Sequence, residues 1–479
     1  MKENQKSLSY NLFWKLAERI FSQMVSLIIS ILLARILSPD DFGLLAIIGI
    51  FIFFLNIIVS NGMGTSLIQK VDADQLDFSS VFFVNIFLSL ILYGCIYFYA
   101  PYISFYYGNE LLTKLIRVQG IIIIIASINS IQRAYVAKKM LFRFLFISTL
   151  SGKFFSGVLG IFLALSGFGI WALISQHISM VLIETYVLWI RLKWRPSLCF
   201  SLKRVIPLFL YGAKIILLFL VESIADQLRV LIIGKKYSAS DLSYYKQGEV
   251  FPNTIVTNII SSVITVTFPA LSLVQSDFVR HKEIFRVIVS SLSYSIFPLT
   301  VGLALISDIL IPFLLTEKWS SAIPFVKIAC FTYGVWVIEM PIRNAISSLG
   351  KSGTSLVLQI FKSSFNILML IIMLNKGILM IGYGLVIASI FNIFITSIFA
   401  YKFLSYTPLE LFYDIFRPLL FSSIMGFGVW CFSLYMPTVS GMFLQILLGI
   451  VIYITLLWIT KDHFFQLAIS TGKSLLHKK

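Results

Sequence analysis

A chain of 479 residues that is 58% hydrophobic and 12% charged, with a mean hydropathy of +0.94, falls outside the soluble globular class, in which about a quarter of residues are charged. Its apolar runs are long rather than alternating, which excludes a β-barrel and predicts an all-α polytopic membrane protein. The net charge of +17 reads first as basic loops that orient the chain in a membrane; no compact basic domain is available, so no nucleic-acid partner is expected.

Taken in chain order at about 20 apolar residues per crossing, the sequence predicts about 14 transmembrane helices. They cover residues 10–36, 42–60, 78–100, 115–135, 145–166, 168–190, 208–234, 248–271, 285–306, 321–342, 354–374, 378–401, 415–435 and 439–460. The first run, flanked by Lys2, Lys6, Lys15 and Arg19, continues through Leu33 without a small-residue cleavage site, so it is read as a retained helix. About 23 basic residues fall on the side shared by both termini and about 8 on the other, which places both termini in the cytoplasm. The strongest inside loops are Arg133–Arg143 and Arg191–Arg204. Loops are short on both sides, so no soluble domain is expected; Pro101–Lys114 and Asp308–Trp319 are expected as short amphipathic external segments.

Pro252, Pro269 and Pro298 mark candidate bends, and Gly152, Gly157 and Gly160 mark close helix contact. The four cysteines, Cys95, Cys199, Cys330 and Cys431, form neither a disulfide framework nor a metal pattern.

Two copies of a helical unit are the common plan of secondary transporters, and a repeat is visible here. Leu37-Ser38-Pro39-Asp40-Asp41-Phe42-Gly43-Leu44-Leu45 corresponds to Tyr237-Ser238-Ala239-Ser240-Asp241-Leu242-Ser243-Tyr244-Tyr245. Gly169-Ile170-Trp171-Ala172 corresponds to Gly382-Tyr383-Gly384-Leu385, and Pro196 with Lys203–Pro207 to Pro408 with Asp414–Pro418. The offset stays near about 200 to 213 residues. It divides the chain into an N-terminal lobe, 1–206 (spans 1–6), a C-terminal lobe, 207–410 (spans 7–12), and 411–479, which holds spans 13 and 14 and a cytoplasmic tail.

The segments Asn11–Arg19, Leu33–Ala46 and Asn61-Gly62-Met63-Gly64-Thr65-Ser66-Leu67-Ile68-Gln69 resemble the polysaccharide flippases of the MOP exporter superfamily, of the Wzx and WzxC type. Ile233-Gly234-Lys235, Leu242–Tyr245 and Phe268-Pro269-Ala270-Leu271 agree in the second half. The resemblance implies a MATE-like fold: two six-helix lobes around a central cavity plus a C-terminal helix pair. It also implies a non-enzymatic function in cell-surface polysaccharide biosynthesis. The chain would flip an undecaprenyl-pyrophosphate-linked oligosaccharide across the bacterial cytoplasmic (inner) membrane by alternating access. Membrane lipids and polysaccharide assembly proteins are further candidate partners. No cofactor is called for; an H+ or Na+ gradient is the candidate drive. Two alternatives stand beside this reading: a MATE-type multidrug or cation antiporter, and a membrane polysaccharide polymerase or ligase, which would need a large catalytic loop.

Charges inside spans are the candidate site, because an ionisable side chain at membrane depth costs roughly 2.5–3.5 kcal/mol. The run Tyr211–Lys235 carries Glu222, Asp226 and Arg229 at i, i+4 and i+7, on one helix face. One reading makes this the wall of a polar path; the other makes Asp226 and Arg229 a structural pair. The intramembrane bases are Lys15, Arg19, Lys153, Lys214, Arg229, Lys327 and Lys362. Arg19 and Arg229 lead as pyrophosphate-binding residues, followed by Lys153 and Lys362, which share a rank in their halves. Glu222, Asp226 and Glu184 are the candidate ion-coupling or cavity acids, Glu222 first. Glu18 beside Lys15, and Glu339 four residues before Arg343, are read as structural salt bridges, and His177 as a packing residue. Asp72-Ala73-Asp74 and Gly350-Lys351-Ser352 lack the domains that metal or nucleotide chemistry would need.

Overall fold

A computed structural model describes residues 2–460; the cytoplasmic tail expected beyond span 14 lies outside the described residues. The helices are α1 (Lys2–Ile36), α2 (Pro39–Asn56), α3 (Met63–Gln69), α4 (Gln75–Tyr107), α5 (Leu111–Lys138), α6 (Phe142–Leu165), α7 (Ile170–Arg191) and α8 (Leu202–Lys236). They continue with α9 (Ala239–Leu273), α10 (Phe278–Leu315), α11 (Ile323–Ser348), α12 (Ser352–Met373), α13 (Ile378–Leu404), α14 (Pro408–Tyr435) and α15 (Val439–Ile459). A π-helical stretch, Ile57–Asn61, joins α2 to α3 so that they form one span, and a 3-10 turn, Glu317–Ala322, precedes α11. Fourteen segments are long and apolar enough to cross a membrane, the number the sequence predicts, and no strand occurs among the described residues. In hydrocarbon each backbone group must be satisfied within its own segment, which selects helices.

Local sequence sets where helices start. Ser38 and Asp41 form a capping box at α2, with Ser38 Oγ donating to Asp41 Oδ2 at 2.7 Å. Ser238 and Asp241 repeat that bond at 2.7 Å before α9, so the sequence repeat is also a repeat of cap chemistry. The two turns touch: Ser240 Oγ donates to Asp40 Oδ1 at 2.6 Å, and a Cβ on Gly43 would fall 1.8 Å from the Ala239 carbonyl oxygen. Asp74 with Asp77, and Thr407 with Glu410, start α4 and α14 in the same way.

Two expectations are corrected. Pro101–Lys114 is no separate amphipathic segment: α4 runs through Pro101 to Tyr107 and stops at Gly108, whose φ of +70° lets Asn109 N–H reach back to the Ser104 carbonyl. Likewise α10 continues through Asp308 to Leu315, with only the 3-10 turn before α11.

Packing divides the chain into two compact units, the first ending at Ser243 and the second beginning at Tyr244. In the first, α6 is bound by its glycines. A Cβ on Gly152 would lie 2.9 Å from the Met180 carbonyl oxygen of α7, one on Gly160 would lie 2.8 Å from Gln176 Cβ, and one on Gly157 would lie 2.1 Å from Ile29 Cδ1 of α1. The stripe therefore permits the close contact expected of it. Helix α8 packs on the same unit through Ser66 Oγ donating to the Leu208 carbonyl at 2.8 Å and through Gly212, whose Cβ would fall 2.8 Å from the Gly62 carbonyl carbon. This is a division by packing, whereas the lobe boundary at residue 206 is a statement about the repeat.

The second unit has its core where Phe285, Val289 and Leu292 of α10 meet Ile338 and Ile342 of α11 and Tyr406. Its C-terminal pair is tied to α10: Arg286 is bidentate to Asp414 at 2.7 and 2.8 Å, Lys282 pairs with Glu410 at 2.9 Å, and Tyr453 Oη donates to the Tyr294 carbonyl at 2.8 Å.

Candidate functional site

Lys153 stands near the middle of α6, about 16 Å from its start, which is mid-bilayer depth. Half-buried there, its Nζ donates to the Ser22 carbonyl of α1 at 3.1 Å. A helical carbonyl has a second lone pair free for such a donor. Around it the first unit gathers further charge. Arg133 of α5 pairs with the buried Glu184 of α7 at 2.5 Å, Thr149 Oγ1 of α6 donates to the same carboxylate at 3.2 Å, and Lys15 pairs with Glu18 on α1 at 2.8 Å. Gly152 lets α7 approach closely enough to bring Glu184 in, since its Cβ would lie 3.3 Å from that of Glu184.

The second unit repeats the positions with different chemistry. Lys362 lies about 15 Å into α12, the depth of Lys153 in α6. Its Nζ is hydrogen-bonded to Glu339 Oε2 of α11, Glu339 buried and Lys362 largely so, with the Arg343 charge acting on the same carboxylate. Glu339 therefore takes a partner from a neighbouring helix besides the local Arg343 that spacing proposes. Arg133 and Arg343 each stand five residues before the last residue of their helices, α5 and α11, so an arginine and a lysine recur together in both units.

The remaining residues are placed as follows. On α8, Arg229 is buried and pairs with Asp226 at 3.3 Å, while Asp226 and Glu222 are exposed. Arg19 is half-buried on α1 and Lys214 exposed on α8. Lys327 pairs with Asp308, and His177 shares a hydrogen bond of 3.2 Å with Gln119. Asp74 caps α4 and accepts from Arg204 at 2.5 Å; that guanidinium, with the Asp77 backbone N–H, holds its carboxyl at about 2 against an ordinary 3.8. Arg133 is the residue that spacing missed. Arg133 falls at the end of the apolar run 115–135, where a basic residue reads as part of the loop, but the 210-residue offset to Arg343 marks it.

A family model described as polysaccharide biosynthesis protein matches residues 32–324. The chain belongs to that family. It is 28% identical over 306 residues to the teichuronic acid biosynthesis protein TuaB of Bacillus subtilis, covering 62% of this chain and 62% of TuaB. It is 23% identical over 347 residues to the lipopolysaccharide biosynthesis protein WzxC of Escherichia coli, covering 69% and 68%. The match to TuaB thus spans less than two thirds of that relative's length. Among solved structures it superposes on the lipid II flippase MurJ in an inward closed conformation with a TM-score of 0.78, at 18% identity, over 94% of this chain and 98% of that one. It also superposes on an inward-facing multidrug resistance MATE family transporter of the MOP superfamily with a TM-score of 0.60, at 14% identity, over 84% and 95%. These likenesses give the chain the MOP-type fold that its first 70 residues resemble.

Proposed function

We propose that this protein flips an undecaprenyl-pyrophosphate-linked oligosaccharide across the bacterial cytoplasmic membrane by alternating access, with no covalent chemistry of its own. The observation that carries the reading is a lysine at mid-membrane depth, Lys153 of α6, whose hydrogen bond goes to a backbone carbonyl, in a chain of this family. A cation there attracts an anionic linkage far more strongly than it would in water. Arg19 and Arg229 add donors that can hold a diphosphate in bidentate fashion. Glu222 is the acid assigned to coupling with an H+ or Na+ gradient. Membership of a polysaccharide biosynthesis family supports the glycan, and a fold shared with a lipid II flippase supports a lipid-linked one.

The alternatives fit less well. A cation exporter is served by acids, whereas Glu184 and Glu339 are each neutralised by a base. A polymerase or ligase needs a sizeable catalytic loop, and the longest helix-to-helix connection among the described residues is 192–201.

The test is transfer of a fluorescent lipid-linked oligosaccharide in reconstituted vesicles. Arg19→Ala and Arg229→Ala are each expected to lower the rate by about tenfold or more, the worth of one charge-assisted contact. Wild-type rates in both at equal protein would remove them from the site.

A further inference from the structure

The second unit contains a cavity of about 600 Å³ that the proposed transport does not use. Asp308 of α10 and Lys327 of α11 form its polar end, and Ile328, Phe331, Tyr383 and Val386 are among its walls. Lys327 Nζ lies 2.8 Å from each oxygen of the Asp308 carboxylate, and both side chains remain about half open, at 45% and 58%. Phe331 and Tyr383 are likewise exposed, at 46% and 52%, so the apolar wall opens sideways.

Depth decides what meets this opening. Asp308 stands about two turns before the end of α10, and Lys327 about one turn after the start of α11. Counted from the middle of its apolar run, 285–306, Asp308 lies about 19 Å along α10, past the roughly 15 Å half-thickness of the hydrocarbon, so the pair falls at headgroup level. The neighbouring wall of Phe331 and Val386 then lies along acyl chains. In water such an open ion pair contributes little. At a membrane boundary, a pair held beside an apolar groove is a place where a lipid head can exchange into its hydrogen bonds.

We propose that this cavity is a phosphatidylethanolamine site, in the leaflet away from the chain termini. The two protein charges are opposite and adjacent. A head carrying phosphate and a primary ammonium two carbons apart satisfies both, with Lys327 donating to the phosphate and Asp308 accepting from the ammonium. A phosphatidylglycerol head brings no cation for Asp308, and a choline head brings a cation that cannot donate. The acyl chain lies along Ile328, Phe331 and Val386.

The experiment exposes the purified full-length protein to equal amounts of phosphatidylethanolamine, phosphatidylglycerol and phosphatidylcholine with identical chains and counts retained lipid by native mass spectrometry. Wild type is expected to retain phosphatidylethanolamine over the other two by about tenfold, one charge-assisted hydrogen bond. Asp308→Asn is expected to abolish that preference while keeping phosphate lipids bound, and Lys327→Gln to lower retention of all three. Equal retention by wild type, a preference for phosphatidylglycerol, or a preference untouched by Asp308→Asn overturns the proposal. The wild-type competition decides it even where a variant does not fold.

Discussion

Lys153 and Lys362 occupy matching places in the two units yet are compensated differently. Lys153 rests on a backbone carbonyl, which carries only a partial charge, whereas Lys362 rests on the carboxylate of Glu339. The two units thus share the position and depth of the cation, but not its neutralisation. The first unit keeps a lysine whose hydrogen bond goes to a carbonyl, with the nearby acids Glu184 and Glu18 in direct contact with Arg133 and Lys15 instead. The second spends its lysine on a buried pair, with side-chain exposures of 12% and 7%. Similar sequence rank therefore does not imply similar duty, and the difference can be measured.

The largest effect is expected at Lys362. Replacing it with Ala strands a buried carboxylate, so the variant should lose about 3–5 kcal/mol of stability, read as thermal unfolding of the detergent-solubilised protein. Adding Glu339→Gln should recover most of that loss, and a double variant as unstable as the single would show that the pair is not the cause. Next comes helix contact. Gly152→Leu drives a side chain into the α7 backbone and should cost about 1–3 kcal/mol, while Gly353→Leu, with open space around its Cβ position, should cost little. Equal melting points would break the contrast between the tightly packed α6 and the looser start of α12.

Lys153→Met should change stability by under about 1 kcal/mol, because the lost hydrogen bond is offset by removing a desolvated charge. If it instead matched Lys362→Ala in the same melt, the two lysines would be equivalent after all.

The smallest effect concerns Asp74, which lies outside the spans. Its folded value, about 2, sits below the ordinary 3.8, so its bond with Arg204 stabilises the protein above that ordinary value and is lost as pH falls through the folded one. Arg204→Ala should lower the melting temperature slightly near neutrality, with the difference from wild type closing as pH falls from 3.8 toward 2. A gap that stays constant with pH would assign the effect to packing.

Much of this architecture is written plainly in the sequence. Fourteen apolar runs are legible because crossing hydrocarbon demands about 20 residues each, and the Ser38/Asp41 and Ser238/Asp241 turns because capping chemistry is local. The glycines of α6 are legible since small residues have one main use between helices. Helix ends were less so. Hydropathy falls at Pro101 and Asp308, but neither residue stops a helix whose backbone bonds continue on both sides, so α4 and α10 run on. Ion pairs across helices were not legible at all: spacing offers Glu339 only Arg343, and nothing local announces Lys362 or joins Arg133 to Glu184. Rank within the repeat identifies Lys153 and Lys362 as counterparts, and the same rule applied to arginine pairs Arg133 with Arg343.

The central claim is that a mid-membrane lysine hydrogen-bonded to a carbonyl, not to a carboxylate, serves a lipid-linked anion, and the most direct measurement is the initial rate of glycan transfer in vesicles made with wild-type protein, Lys153→Met, or Glu339→Gln/Lys362→Met. The account predicts transfer by wild type, a loss of about tenfold or more in Lys153→Met at unchanged melting temperature, and a milder loss in the double variant. Transfer by Lys153→Met at the wild-type rate, or none by wild type above protein-free vesicles, would contradict it.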